Sequence, residues 1–199
     1  AVSNSPERFL KITKSKNQKW VESAPIKGTI RRDQNNEGRI KLWLDSKERA
    51  ELTMIVDLVR NDLGKVCIPG TIQAQMRKIR RCGDLYHAEQ IICGELKKSI
   101  GVFDVLKATF PPGSVTGAPK VAAMKLIHEL ESQPRGIYTG TIGFVSSRGD
   151  AHFNVAIRTI QSVGSTASFH VGAGIVHDSD PSGEWLETLA KGRALADSI

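Results

Sequence analysis

The stretch DSKERAELTMIVDLVRNDLG, Asp45 to Gly64, carries the punctuation of one long helix. Asp45 with Glu48 three residues on has the spacing of a capping box, and Gly64 supplies a C-terminal stop. On a 100° wheel with Glu51 at zero, Ile55, Leu58, Met54, Val59, Leu52, Leu63 and Val56 fill an arc from about −60° to about +140°. Glu51 lies inside that arc, and so does Asp62, at about 20°. Asp57, Arg60 and Thr53 take the polar side. A carboxylate on an apolar face is costly unless it is paired, hydrogen-bonded or bound to a cation. For Asp62 a helix-end salt bridge is expected; for Glu51, a functional role.

Upstream of this helix, residues 1–30 read as two strands, SNSPERFLKI (Ser3–Ile12) and KWVESAPIKG (Lys19–Gly28), joined by the polar turn Lys14–Gln18. The Asn-, Asp- and Gly-rich segment Arg31–Arg39 reads as a loop. Downstream, Cys67–Ile100 mixes short apolar runs with basic residues and yields no assignment. Pro111-Pro112-Gly113-Ser114 breaks the chain. Pro119 then opens a helix to about Glu131. Three β-rich runs follow, Ile137–Val145, Ala151–Gln161 and Thr166–Val171. The turns between them hold Arg148-Gly149-Asp150 and Gly164-Ser165, so an antiparallel meander is expected. Asp180-Pro181 starts a last helix reaching Ala196.

That last helix repeats the anomaly of the first. Glu184, Glu187 and Lys191 follow i, i+3, i+7 spacing and lie within about 60° of one another, with Leu186, Leu189 and Ala190 opposite. Just before it, the run from His170 to Ile175 ends a strand in Gly-Ala-Gly, which lets backbone N–H groups approach an anion closely. A glycine-lined strand end coupled to a carboxylate-bearing helix suggests a divalent metal beside an acidic substrate. Hard oxygen ligands without a Cys or His cluster point to magnesium.

Composition narrows the class. With 199 residues, 40% apolar and 25% charged, the chain is globular rather than disordered. No apolar run approaches the ~18 residues of a membrane span, and AVSNSPERFL is not a secretory leader. The start at Ala1 suggests a processed or truncated chain. Three cysteines, Cys67, Cys82 and Cys93, form neither a disulfide framework nor a zinc site, so a reducing, cytoplasmic setting is expected. The net charge of +7 admits nucleic acid, an acidic partner or a small anionic substrate. Nucleic acid is disfavoured, because the basic clusters Lys11–Lys19 and Arg77–Arg81 lack interleaved aromatics, which make up only 6% of the chain. Neither nucleic acid nor a membrane is expected as a partner.

PIKGT (Pro25–Thr29), ERAELTMIVDLVRNDLGKV (Glu48–Val66), FPPGSVTGAPK (Phe110–Lys120), GIYTGTIGF (Gly136–Phe144), AIRT (Ala156–Thr159) and GAGIVHDSDP…EWLETLAK (Gly172–Lys191) stand in one order along the chain. Together they resemble the chorismate-utilising enzymes: anthranilate synthase component I, aminodeoxychorismate synthase component I and isochorismate synthases. The resemblance implies an α+β fold, layered α/β/β/α with orthogonally packed antiparallel sheets. Residues 1–199 would be the C-terminal part of one chorismate-binding catalytic domain whose module is about twice as long. Turnover by such a piece alone is expected to be weak.

By motif, Glu51 and Glu187 match the ligands of Mg2+, with Glu184 a direct or water-mediated helper. Tyr138 and Arg158 match the pair that holds the enolpyruvyl carboxylate. Gly172, Gly174 and Lys191 match the region around the ring carboxylate and metal, and Thr116 lies in a motif lining the pocket. Lys27 discriminates the branches: PIKGT resembles aminodeoxychorismate synthases, whereas anthranilate synthases usually have PIAGT. In that branch the lysine attacks C2 of chorismate as free amine, and the Glu of SPERF, here Glu7, acts as general acid and base. Ammonia would come from a glutamine amidotransferase subunit or domain. Anthranilate synthase is the alternative, and a basic nucleic-acid module or an inactive fragment the alternative outside this chemistry. LYHAEQ (Leu85–Gln90) departs from the usual Val-x-His-Leu-x-Ser pattern, which puts a role for His87 in doubt. Gly-Ala-Gly replaces a commoner triple glycine, and Pro112 a small residue.

Overall fold

The computed structural model describes residues 1–15 and 17–196. In chain order the elements are β1 (Val2–Ser3), β2 (Arg8–Ser15), β3 (Gln18–Ala24), β4 (Ile26–Arg31), α1 (Glu37–Leu44), α2 (Ser46–Gly64), β5 (Gln73–Ala74), β6 (Lys78–Cys82), β7 (Leu85–Glu89), β8 (Ile92–Glu95), α3 (Val102–Thr109), a 3-10 turn (Gly113–Val115), α4 (Lys120–Leu130), β9 (Gly143–Val145), β10 (Ala151–Asn154), β11 (Thr159–Val163), β12 (Thr166–Phe169) and α5 (Pro181–Ala196). All the strand pairs are antiparallel.

A 6-stranded sheet has the order β5-β8-β3-β2-β10-β9, and two 3-stranded sheets have the orders β4-β7-β6 and β1-β11-β12. Helix α2 packs on β4 and β8 and against α3. Its Leu52, Val56 and Leu63 join Leu10, Ile12, Val21, Ile92 and Val105 in the core. Asp45 caps α2 as its spacing implied: its Oδ1 accepts from the Glu48 N–H at 2.9 Å.

The wheel holds for Leu52, Ile55, Val56 and Leu63, whereas Met54, at the arc's edge, is 41% exposed. Asp62 is buried and held by Lys65 and Lys120, which is the expected helix-end salt bridge.

Several expectations are corrected. The first strand splits into β1 and β2 around the Pro6 segment, and the second into β3 and β4 around Pro25. The loop Arg31–Arg39 gives way to α1 at Glu37, where Asp33 accepts from the N–H groups of Glu37 (3.0 Å) and Gly38 (2.5 Å). The unassigned region Cys67–Ile100 holds four strands, β5 to β8, and α3 follows it.

The three β-runs do not form one meander. β9 and β10 extend the large sheet beside β2, while β11 and β12 pair with β1 elsewhere. The chain changes sheet just after Ile157, through Arg158 at φ +47°. The interrupted backbone there shortens each run to a few paired residues.

Candidate active site

A bulge aims Lys27. The β4–β7 register shifts between Ile26 and Thr29, which turns the extra residues out of the ladder. Gly28 makes this possible: its φ is +83°, and a Cβ there would lie 2.7 Å from Leu42 Cδ1 and 3.0 Å from Glu48 Oε2. Lys27 Nζ consequently reaches 3.4 Å from Glu51 Oε2, with the two side chains 21% and 15% exposed. From the other side, a Cβ on Gly174 would sit 2.8 Å from the same Nζ. The Gly-Ala-Gly segment, which lies beyond the end of β12 at Phe169 rather than in a strand, and the α2 carboxylate therefore meet at one amine.

Gly172 plays the same part for Tyr138, whose hydroxyl lies 2.9 Å from the Cβ position of Gly172. Tyr138 stacks on His170 at 5.6 Å between ring centroids and lies under the Arg135 guanidinium. Burial raises the proton affinity of its hydroxyl, which keeps the group neutral and able to donate a hydrogen bond. Lys191 Nζ donates to the Gly172 carbonyl at 3.0 Å and pairs with Glu187 at 2.6 Å. The last helix is thus tied to the glycine segment by Lys191, which pairs with Glu187 on the same helix. Glu184 instead accepts from Ser179 Oγ at 2.7 Å.

Glu7 is buried, and burial pushes its carboxyl up to about 7, against the lowering effects of a Ser114 hydrogen bond, the Lys27 charge and the Ile26 backbone; Glu89 repels it further. Between the ordinary 4.5 and about 7, the folded chain keeps a proton that the unfolded chain has released. Stability contributed by neutral Glu7 is therefore full at low pH and lost as pH rises through 7. Relative to Glu7→Gln, wild type is expected to lose about 3 kcal/mol between pH 4 and pH 8. Denaturant melts of both proteins across that range check it; parallel pH profiles would contradict the assignment.

His87 is 1% exposed. Its Nδ1 meets Thr29 Oγ1 at 2.8 Å, and its Nε2 has no partner among the described residues. Burial, then the Arg158 and Arg80 charges, lower its proton affinity to about 4, so the ring is neutral near pH 7. Arg158 lies near enough to this histidine for its charge to act on the ring. Thr116 is spent locally: its hydroxyl bonds the Pro112 and Gly113 carbonyls of the 3-10 turn.

A cleft of about 300 Å³ between Ser5–Arg8 and Ile142–Asn154 reaches Glu7 and has neither Lys27 nor Tyr138 in its walls. Ser114, Thr29 and Arg135 were not anticipated one by one; Ser114 lay inside a quoted motif, while Arg135 carried no signal beyond its place beside GIYTG.

For a metal, the fit rests on donor chemistry. Glu51 and Glu187 are carboxylates that pair with single lysines, Lys27 and Lys191. Among the described residues no three His, Cys, Asp or Glu side chains gather. Mg2+ needs only one or two protein carboxylates, because water and substrate complete its shell. Glu51 and Glu187 are donors of the hard-oxygen type that Mg2+ takes.

A family model described as chorismate binding enzyme matches residues 1–197. The chain is 41% identical over its whole length to anthranilate synthase component 1 of Saccharolobus solfataricus, covering 47% of that protein. It is 40% identical over 96% of its length to a probable chloroplastic aminodeoxychorismate synthase of Oryza sativa, covering 22% of it. Among solved structures, anthranilate synthase component I from Streptococcus pneumoniae superposes with a TM-score of 0.87 at 34% identity, over 98% of this chain and 43% of that one. The chain thus spans less than half the length of these relatives, and the antiparallel α+β fold expected from the motifs is the fold observed.

Proposed function

This chain belongs to the chorismate binding enzyme family, and within it we propose that the protein aminates chorismate to 4-amino-4-deoxychorismate. The observation that carries this reading is Lys27 Nζ, held between Glu51 on α2 and the side-chain-free Gly174. Lys27 forms a bond to C2 of the ring while the C4 hydroxyl leaves as water, taking the proton of Glu7. Ammonia then bonds to C4 and the C2–N bond breaks, returning Lys27 as free amine. Glu7 recovers its proton from the new ammonium group. The sum is chorismate plus ammonia giving 4-amino-4-deoxychorismate plus water.

A carboxyl that titrates near 7 donates and accepts a proton at neutral pH with little cost either way, which supports the double role of Glu7. Tyr138 and Arg158 bind the enolpyruvyl carboxylate, and the Gly172–Gly174 backbone with Lys191 faces the ring carboxylate. Glu51 and Glu187 would hold Mg2+, with Glu184 as helper, and the ion would supply Lewis-acid stabilisation at the substrate's carboxylate. Ammonia is supplied by a glutamine amidotransferase subunit or domain. The three free thiols support a reducing, cytoplasmic setting, and no helix among the described residues is long and apolar enough to cross a membrane.

Incubating the protein with chorismate, Mg2+ and ammonium and identifying the product tests the reading: 4-amino-4-deoxychorismate is expected. Anthranilate would support the second reading, which the 41%-identical archaeal relative favours. For the metal, titration calorimetry of Mg2+ with a substrate analogue present is expected to show at least about tenfold weaker binding in Glu51→Gln and Glu187→Gln. Unchanged affinity in both would place the ion elsewhere.

A further inference from the structure

Arg80 lies on β6, the edge strand of the β4-β7-β6 sheet, directly opposite His87. Its guanidinium leaves that sheet and crosses to the segment between β1 and β2. There Nη2 donates to the Pro6 carbonyl at 2.7 Å. Its Nε faces Glu89 Oε1 at 3.6 Å, on a carboxylate only 12% exposed. Pro6 has no N–H of its own, so this carbonyl bond is the polar tie by which the residue before Glu7 is held to another sheet. The fork geometry of arginine allows the two contacts at once, which an ammonium does not reproduce.

Both ends of this clamp bear on Glu7. Pro6 precedes it in the chain, and Glu7's own carbonyl is fixed by Val155 N–H at 3.0 Å, so holding Pro6 closes the segment from both sides. Glu89 sits opposite Ile26 in the β4–β7 ladder, and Ile26 offers its backbone to the Glu7 carboxyl. The charges that act on that carboxyl are Lys27 from β4 and Glu89 from β7; Arg80 from β6 reaches the Pro6 carbonyl and Glu89 instead, and Arg8 follows Glu7 in sequence. Asp62 from α2 lines a cavity it shares with Glu7 and is already held by Lys65 and Lys120. Of these, Glu89 is the one that opposes ionisation of Glu7, and Arg80 is its salt-bridge partner.

We propose that Arg80 is a positioning residue for Glu7: it clamps the Pro6 carbonyl and engages Glu89, fixing both the place of the carboxyl and the charge it faces. The proposal rests on Glu7 acting as acid and base. It also gives a purpose to Glu89, which lies in the segment where LYHAEQ departs from the family's usual pattern.

The test titrates Glu7 itself, by 13C NMR of glutamate-labelled protein, with the resonance assigned by its loss in Glu7→Gln. In Arg80→Gln the Glu7 midpoint is expected to rise by roughly half a pH unit, because Glu89 is left without its partner. In Glu89→Gln it falls, and in the Arg80→Gln, Glu89→Gln double variant it returns towards wild type. Arg80→Lys, which keeps the charge and loses the fork, falls between wild type and Arg80→Gln. With chorismate and ammonium, Arg80→Gln should lower kcat about tenfold with KM within about twofold, and its pH–rate limb should move with the NMR midpoint. A Glu7 midpoint and pH–rate limb both unmoved in Arg80→Gln overturn the proposal. A full amination rate in Glu7→Gln would instead overturn the acid–base reading, on which the titration readout does not depend.

Discussion

Lys27→Ala is expected to lose at least about a thousandfold in amination rate, the loss of a covalent step rather than of a contact. The bulge at Ile26–Thr29 exists at a cost: it breaks the β4–β7 ladder and requires a positive-φ glycine pressed against Leu42 and Glu48. A lysine serving only as a surface charge needs no such device. The alanine change also removes the cation facing Glu51, whose side chain is 15% exposed, so some stability is lost with it. Lys27→Arg separates the two effects. It keeps a positive charge for Glu51 but cannot act as an amine nucleophile, so it should fold like wild type and remain as inactive as the alanine variant. A Lys27→Arg protein that turns over within tenfold of wild type would show that the side chain only binds.

The second large effect is on stability. Asp62 is buried with a side chain 6% exposed and receives Lys65 at 2.9 Å and Lys120. Lys120, 13% exposed, also donates to the carbonyls of Thr109 at 2.7 Å and Pro111 at 2.8 Å. One ammonium thus pins the end of α2, the end of α3 and the break that leads into the 3-10 turn bearing Ser114. Asp62→Ala leaves that ammonium buried without its counter-charge, at a cost of about 3–5 kcal/mol. A drop in melting temperature on the order of 10 °C follows for a domain of this size. Adding Lys120→Met should recover much of it, because the uncompensated charge is gone. A single variant that melts within about 2 °C of wild type would contradict this account of the pair.

How much of this was legible in the sequence depended on the range of the interactions. Helix α2 was readable because Asp45, Glu48 and the apolar stripe all act within a few residues, and α5 because Asp180-Pro181 marks its start. The same stripe exposed Glu51 as a carboxylate in the wrong place, and the structure accounts for it by Lys27.

Strand β7 was unreadable by alternation, since Tyr86, His87 and Ala88 are all buried, while its neighbour β6 is almost wholly exposed. α1 escaped notice because Asp33, four and five residues ahead, supplies its cap and Asn36 takes a left-handed conformation. The break between β10 and β11 depends on a backbone angle at Arg158 that no residue preference announces.

The site itself was mostly out of reach of local rules. Lys27 before Gly-Thr, or Glu7 after a proline, reads as surface from the residues alone; resemblance to a family singled them out. Thr29 and His87, 58 residues apart, meet only because β4 and β7 pair. Ser114 reaches Glu7, and Arg80 reaches Pro6, across elements that sequence spacing does not relate.

The central claim is that Lys27 is the amine that attacks the substrate. Intact-protein mass spectrometry of the protein with chorismate and Mg2+, ammonia withheld, tests it most directly. Without ammonia the second step cannot proceed, so wild type should carry a substrate-derived adduct equal to chorismate less one water, lost on adding ammonium. Lys27→Ala should carry none. An equal adduct on both proteins, or none on wild type while 4-amino-4-deoxychorismate still forms with ammonium, would contradict the assignment.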